Sequence, residues 1–204
     1  MKPSVSLICV PLLSICVSAT AQESAASGSN DKKDAATAAA SAGAKPPAQM
    51  SLLDPRIGTW RVTIRTQPGK SLPAGGIDQG VMTIRKGPGG FSIVQDFWSR
   101  GSGGHTIGQS YTWWDGGANT YKSVWCDNMQ GCTEFTTAIA GNSWTTELDG
   151  EDNGQKVHTT IRATMSPDHN SIHEEFMNSY GGGPARTETI SEYRRVATGA
   201  TQAK

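Results

Sequence analysis

Neither sign of charge prevails in this chain. Its 18 Lys and Arg are matched by 18 Asp and Glu, and within residues 51–196 thirteen basic residues face fifteen acidic ones with no long basic run. A surface so balanced has no field with which to hold nucleic acid or to lean on an anionic membrane. Histidine and cysteine are sparse, four of each in 204 residues. No C-x-x-C, no G-x-S-x-G and no set of residues that supports a catalytic triad occurs, which leaves no sign of a redox dithiol or an elbow-type serine nucleophile. The apolar run Leu7 to Val17 is interrupted by Pro11 and Ser14 and falls short of the about 20 residues that cross a bilayer as a helix. A 3.6-residue apolar period of helical length is also missing, which argues against a helical bundle.

What is present begins with an export signal. Met1-Lys2 gives a positive start, the apolar run follows, and Ala19-Thr20-Ala21 supplies the small-residue cleavage pattern. Residues 1–21 are therefore expected to be a signal peptide cleaved before Gln22, with a periplasmic or secreted product. Ile15 stands before Cys16 where a lipid-attachment signal has a small residue, so a lipoprotein is not expected. Residues 22–50 are dominated by Ala, Ser, Gly, Asn, Asp and Lys and have no aromatic side chain, the composition of a flexible spacer. Residues 197–204 are expected to fray. Between them, residues 51–196 make one domain of about 145 residues, enough for a real core.

Export changes the cysteine arithmetic. Cys9 and Cys16 leave with the signal, and Cys126 and Cys132 remain. Two cysteines in an oxidising compartment are expected to form one disulfide. No further cysteine is left to complete a four-sulfur zinc site.

The domain's pattern is period two almost throughout. Trp60, Val62 and Ile64 alternate with Arg61, Thr63 and Arg65, as on a half-buried strand. Similar runs follow at Val81–Arg85, Phe91–Trp98, His105–Trp114, Tyr121–Cys126, Cys132–Ile139, Ser143–Leu148, Lys156–Met165, Ser171–Ser179 and Arg186–Val196. Gly-, Asn- and Asp-rich turns separate them, among them Gly87-Pro88-Gly89-Gly90, Gly101-Ser102-Gly103-Gly104 and Gly141-Asn142. About ten strands joined by hairpin-length turns predict an all-β, antiparallel up-and-down barrel without a substantial helix. Closing the sheet removes its exposed edges. The cysteine spacing then staples two adjacent strands across their turn.

Gly58-Thr59-Trp60 resembles the G-x-W element at the start of the first barrel strand in lipocalins and other calycins. There the Trp packs near the closed end beneath an Arg from the last strand. The resemblance implies a structural role for Gly58, Trp60 and an Arg of Tyr193-Arg194-Arg195, with Arg194 or Arg195 as the partner. The domain is also similar to a family of bacterial secreted proteins with a lipocalin-like barrel and no established reaction. Ile57–Trp60, Tyr111–Asp115, Tyr121–Asp127 and, more loosely, Glu188–Arg194 carry that likeness over most of residues 52–196. It implies a fold rather than an activity. Two departures from true lipocalins are plain: no C-terminal helix follows the barrel, and about ten strands is nearer to fatty-acid-binding-type or nitrobindin-type barrels.

Pockets are largely apolar with a few placed polar groups. The candidate lining is therefore aromatic: Trp98, Tyr111, Trp113, Phe135, Trp144 and Phe176, with Trp114, Trp125 and Tyr180 in the same strands. Gln95, on a face with Ile93 and Phe97, and Glu174, on a face with Ile172 and Phe176, are the candidate polar groups. The same rings could instead fill the barrel. His169 and His173 are four apart, a spacing that pairs ligands only on a helix, but Pro167-Asp168 put His169 in a turn and His173 falls on a strand, so no metal site is expected. His158 shares a face with Arg162, opposite Val157 and Ile161, which points it outward and away from a haem role. No cofactor is expected. The reading is an exported protein that binds a small hydrophobic or amphipathic ligand in a barrel cavity. Its alternatives are a non-catalytic interaction module with a filled barrel and a barrel-mouth isomerase or hydrolase. Ligand identity and oligomeric state lie beyond the pattern.

Overall fold

A computed structural model describes residues 44–69, 72–152 and 154–197. The segment expected to be a signal peptide, most of the spacer and nearly all of the tail lie outside the described residues. Ten strands follow one another: β1 (Gly58–Thr66), β2 (Gly76–Lys86), β3 (Ser92–Gly101), β4 (Gly104–Asp115), β5 (Thr120–Asp127), β6 (Gly131–Ala140), β7 (Ser143–Asp152), β8 (Gln155–Met165), β9 (Ser171–Tyr180) and β10 (Arg186–Arg195). Each pairs antiparallel with its sequence neighbour, and β1 pairs with β10 to close the barrel. The architecture is consistent with a calycin-like barrel and has no crossover. Full closure leaves no strand edge unpaired, which is how such sheets avoid edge-to-edge association.

Alternation sets the walls. The cross-strand rows Val62–Tyr193 and Trp60–Met82 point inward with their neighbours, and Trp60, Val62, Met82, Ile84, Ile93, Tyr121, Trp144, Ala163, Met165, Ile172 and Tyr193 form the core. That core lies towards one end, the floor. At the opposite end, the mouth, the β3–β4, β5–β6, β7–β8 and β9–β10 hairpins turn.

A 3-10 helix, Ala48–Arg56, closes the floor. Residues 48–50, placed in the spacer by composition, belong to this helix, and Met50 and Leu53 are buried in the core. Two further bonds hold this plug. The Tyr121 hydroxyl donates to the Gln49 carbonyl at 2.6 Å, and Lys86 pairs with Asp54 at 3.1 Å.

The G-x-W corner now has a physical reading. Arg195, not Arg194, lies over the Trp60 ring, its guanidinium carbon 4.1 Å from the ring centroid. Register decides this: Trp60 is the cross-strand partner of Arg195, while Arg194 falls opposite Arg61 and points outward, exposed. Arg195 donates to the carbonyls of His169 (2.8 Å), Ile57 (2.7 Å) and Pro55 (2.5 Å). It thereby ties the β8–β9 turn to the end of the plug. The Trp60 indole donates to the Arg56 carbonyl at 2.9 Å. Gly58 is required beside them, because its φ is +140° and a Cβ there would stand 2.6 Å from the Arg195 guanidinium.

Cys126 and Cys132 are direct cross-strand partners on β5 and β6 and are bonded to each other. Cys126 alternates with inward-facing Trp125 and Asp127, which puts the bridge on the outer wall.

Candidate functional site

Above the sealed floor the inner wall changes character. Gln95, Phe97, Phe135, Leu148, Ile161, Glu174 and Phe176 all point inward by register. Yet each keeps part of its surface accessible. In a barrel filled by its own side chains these mid-strand positions would be as buried as Trp60. Their partial exposure sets this stretch apart from the floor.

The polar groups of the lumen come from three elements. Arg56, last residue of the plug, reaches inward so that its guanidinium carbon lies 4.8 Å from the Trp144 ring centroid. On β9, Glu174 stands between Ile172 and Phe176. On β10, the Tyr193 hydroxyl donates to Glu174 Oε1 at 2.6 Å. Burial pushes the Glu174 carboxyl above the usual carboxylate range, opposed by the Tyr193 hydrogen bond and the Arg56 charge. Burial, with the adjacent Glu174 charge, drives the Tyr193 phenol well above its ordinary value. Burial lowers the Arg56 pKa, and Glu174 and Tyr193 partly offset this.

Arg56 is the odd member. Its Nε is shut off from solvent and has no hydrogen-bond partner. Among the described residues no carboxylate makes an ion pair with it. Elsewhere the inner wall satisfies itself: Thr112 bonds Ser123 at 2.8 Å and Thr137 bonds Thr146 at 2.7 Å.

Nearer the mouth lies a self-contained polar network. Thr159 donates to Asn178 at 2.7 Å, Asn178 to Glu188 at 2.8 Å, and Tyr180 to Glu188 at 2.9 Å. Glu188 faces inward because a register shift between Thr187 and Thr189 moves it out of simple alternation.

Of the residues singled out by sequence, Gln95, Phe135, Trp144, Phe176 and Glu174 face the interior, and the cluster joins Trp144 and Glu174 through Arg56. Trp98, Tyr111 and Trp113 do not face it. Register puts them on the outer wall, where Trp98 is 48% and Tyr111 42% exposed. The reason lies on β4, whose inner face carries Thr106, Gly108, Ser110 and Thr112. A Cβ on Gly108 would collide with the Trp125 ring. The interior there is already occupied by rings from β3 and β5, with Phe97 and Trp125 edge to face at 5.8 Å, so the mouth-side stretch of β4 contributes small groups inward and turns Tyr111 outward, while Trp114, at its floor end, packs inward on Tyr121. An open groove of about 810 Å³ lies on this outer wall along Val81, Trp98 and Ile107.

Arg56 and Tyr193 are absent from the candidate set that sequence gives. Tyr193 was visible only as a neighbour of the G-x-W partner. Arg56 sits before the first strand, where no periodicity assigns it a face. His158 points outward to Asp149 at 2.9 Å. His173 also lies outside, with Glu192 at 2.6 Å and Glu175 at 3.4 Å. His169 occupies the β8–β9 turn with φ of 57°. Among the described residues no group of three or more His, Cys, Asp or Glu is placed to hold a metal ion. No helix among them is long and apolar enough to cross a membrane. No protein-family model matches the chain, and no curated protein matches it.

Proposed function

We propose that this chain is an exported, lipocalin-like protein that binds a small hydrophobic or amphipathic molecule in the lumen of its barrel. The observation that carries the reading is the pair Glu174 and Phe176, which point inward from the middle of β9 and still keep accessible surface. A lumen with an apolar wall and a few polar side chains is the usual composition of a small-molecule site. The sealed floor and the open mouth give such a molecule one way in. The leader at residues 1–21 supports an exported location.

Native mass spectrometry of the protein purified from its producing cells tests the reading, together with a tryptophan-fluorescence titration against 1-anilinonaphthalene-8-sulfonate. A retained small-molecule adduct and a saturable fluorescence change are expected. A barrel that is empty in every preparation, with unmoved fluorescence, overturns it. N-terminal sequencing of the exported product should begin at Gln22.

One observation favours a second reading, the interaction module. Val81, Trp98 and Ile107 are cross-strand neighbours that form an apolar row on the outer wall, and Ile107 is 54% exposed. Rows of this kind serve as contact surfaces for other proteins. Trp98→Ser would abolish partner capture on that reading and leave probe uptake by the lumen unchanged.

A further inference from the structure

The lumen contains one group whose chemistry is incomplete. A buried N–H without a partner is costly, and more so when it is charged. Arg56 bears that cost at its Nε, although the same barrel satisfies its other arginine on the floor three times over. Glu174, the nearby carboxylate, does not relieve it: Glu174 Oε1 is held by Tyr193, and no ion pair to Arg56 forms among the described residues.

We propose that the Arg56 guanidinium is an oxyanion subsite at the floor of the lumen, and that the molecule taken up is a carboxylic acid with an apolar tail, seated carboxylate down. This rests on the lumen reading above and narrows it. The planar guanidinium fork matches a carboxylate in two parallel hydrogen bonds, and such charge-assisted bonds are among the strongest available to a side chain. Trp144 stacks on the guanidinium and fixes its plane. One step towards the mouth the wall becomes apolar and accessible, with Phe176 and Ile161 as direct cross-strand partners and Leu148 and Phe135 nearby along β7 and β6. From Glu174 to Tyr180, the last residue of β9, the wall extends about 20 Å at roughly 3.3 Å per residue, which accommodates an extended chain of moderate length. Burial raises the Glu174 pKa, which lessens the opposition of the neighbouring carboxyl to an incoming anion.

Isothermal titration with three probes that share one tail decides the matter: dodecanoate, dodecanol and dodecylamine. Dodecanoate is expected to bind about tenfold or more tightly than dodecanol, the usual scale for a hydrogen bond to a charged group. Arg56→Met should bring the two affinities together, with the larger loss falling on dodecanoate. Arg56→Lys, which keeps the charge and loses the fork, should fall between, and melting curves report whether each variant is folded. Equal binding of acid and alcohol by the unsubstituted protein overturns the subsite and leaves the lumen reading standing. So does a preference for the amine, which would make Glu174 the recognising group, or a preference for the acid that survives Arg56→Met. Binding of none of the three overturns the lumen reading and the subsite together.

Discussion

Two arginines in this barrel lie over two tryptophans. Arg195 is 4.1 Å from the ring centroid of Trp60 and Arg56 is 4.8 Å from that of Trp144. A cation over an indole gains roughly 0.5–2 kcal/mol in either place. The difference lies in what the remaining donors do. Arg195 gives hydrogen bonds to three backbone carbonyls from three parts of the chain, whereas Arg56 has a sequestered Nε with no partner. A side chain each of whose nitrogens donates to its own protein is a fastener. One whose donors are left over is either a cost the fold tolerates or a place prepared for something else.

That contrast can be broken by mutation, and the largest effect should come from the fastened corner. Trp60→Ala should lower stability by about 3–5 kcal/mol, the range for truncating a core aromatic, and leave the probe affinity of the folded fraction unchanged. Chemical denaturation followed by titration of the refolded protein measures both, and an unaltered midpoint would show that the corner is not structural. Next come the arginines themselves. Arg195→Met strands the Pro55, Ile57 and His169 carbonyls and should cost about 2–3 kcal/mol. Arg56→Met should cost less than about 1 kcal/mol or stabilise, because it removes a desolvated, unpaired charge. Equal losses at the two sites would erase the distinction drawn here.

The outer wall supplies smaller effects. Cys126→Ser with Cys132→Ser opens a bridge across a short hairpin and should cost about 2 kcal/mol by chain entropy, without altering either arginine corner. The smallest effect belongs to His173. The hydrogen bond to Glu192 raises its pKa above the usual histidine value, opposed by burial and supported further by Glu175. A raised folded-state value means the contribution is fully present below the unfolded value near 6.5, and it is lost as pH rises through the folded one. The pair is half-exposed, so the change should stay under about 1 kcal/mol. Melting temperatures of the protein and of His173→Gln across that window should converge at the alkaline end, with probe affinity indifferent throughout.

Reading the chain without its structure reached the barrel but only half of the interior. Strand alternation depends on residue type along a single segment, and ten such segments with their turns are visible in the text of the sequence. Which face turns inward is a property of the neighbours instead. Tyr111 and Trp113 share a face, as expected. That face is the outer one because Phe97 and Trp125 occupy the space inside β4 and Gly108 yields to the Trp125 ring. Arg194 and Arg195 differ by one position and hence by one wall, a choice settled only by the register of β10 on β1. Glu188 turns inward through an irregularity that no alternation pattern foretells. Arg56 had no pattern at all. Its position follows from the burial of Met50 and Leu53, six and three residues earlier, which seats the plug and aims its last side chain upward.

The pairing of β1 with β10 also has a consequence for how the molecule comes into being. Trp60 lies opposite Arg195, at the two extremes of the domain, so the contact that locks the floor has nearly the largest sequence separation the barrel allows. Contacts of that kind cost the most loop entropy and form slowly. A chain that emerges from its N-terminus forms β1 early and then carries it with one ladder unmet until β10 arrives. During that interval an exposed strand edge is available for pairing with another chain. The fastener that stabilises the finished barrel is thus also the last to close, and the time before it closes is when this protein is most vulnerable to aggregation.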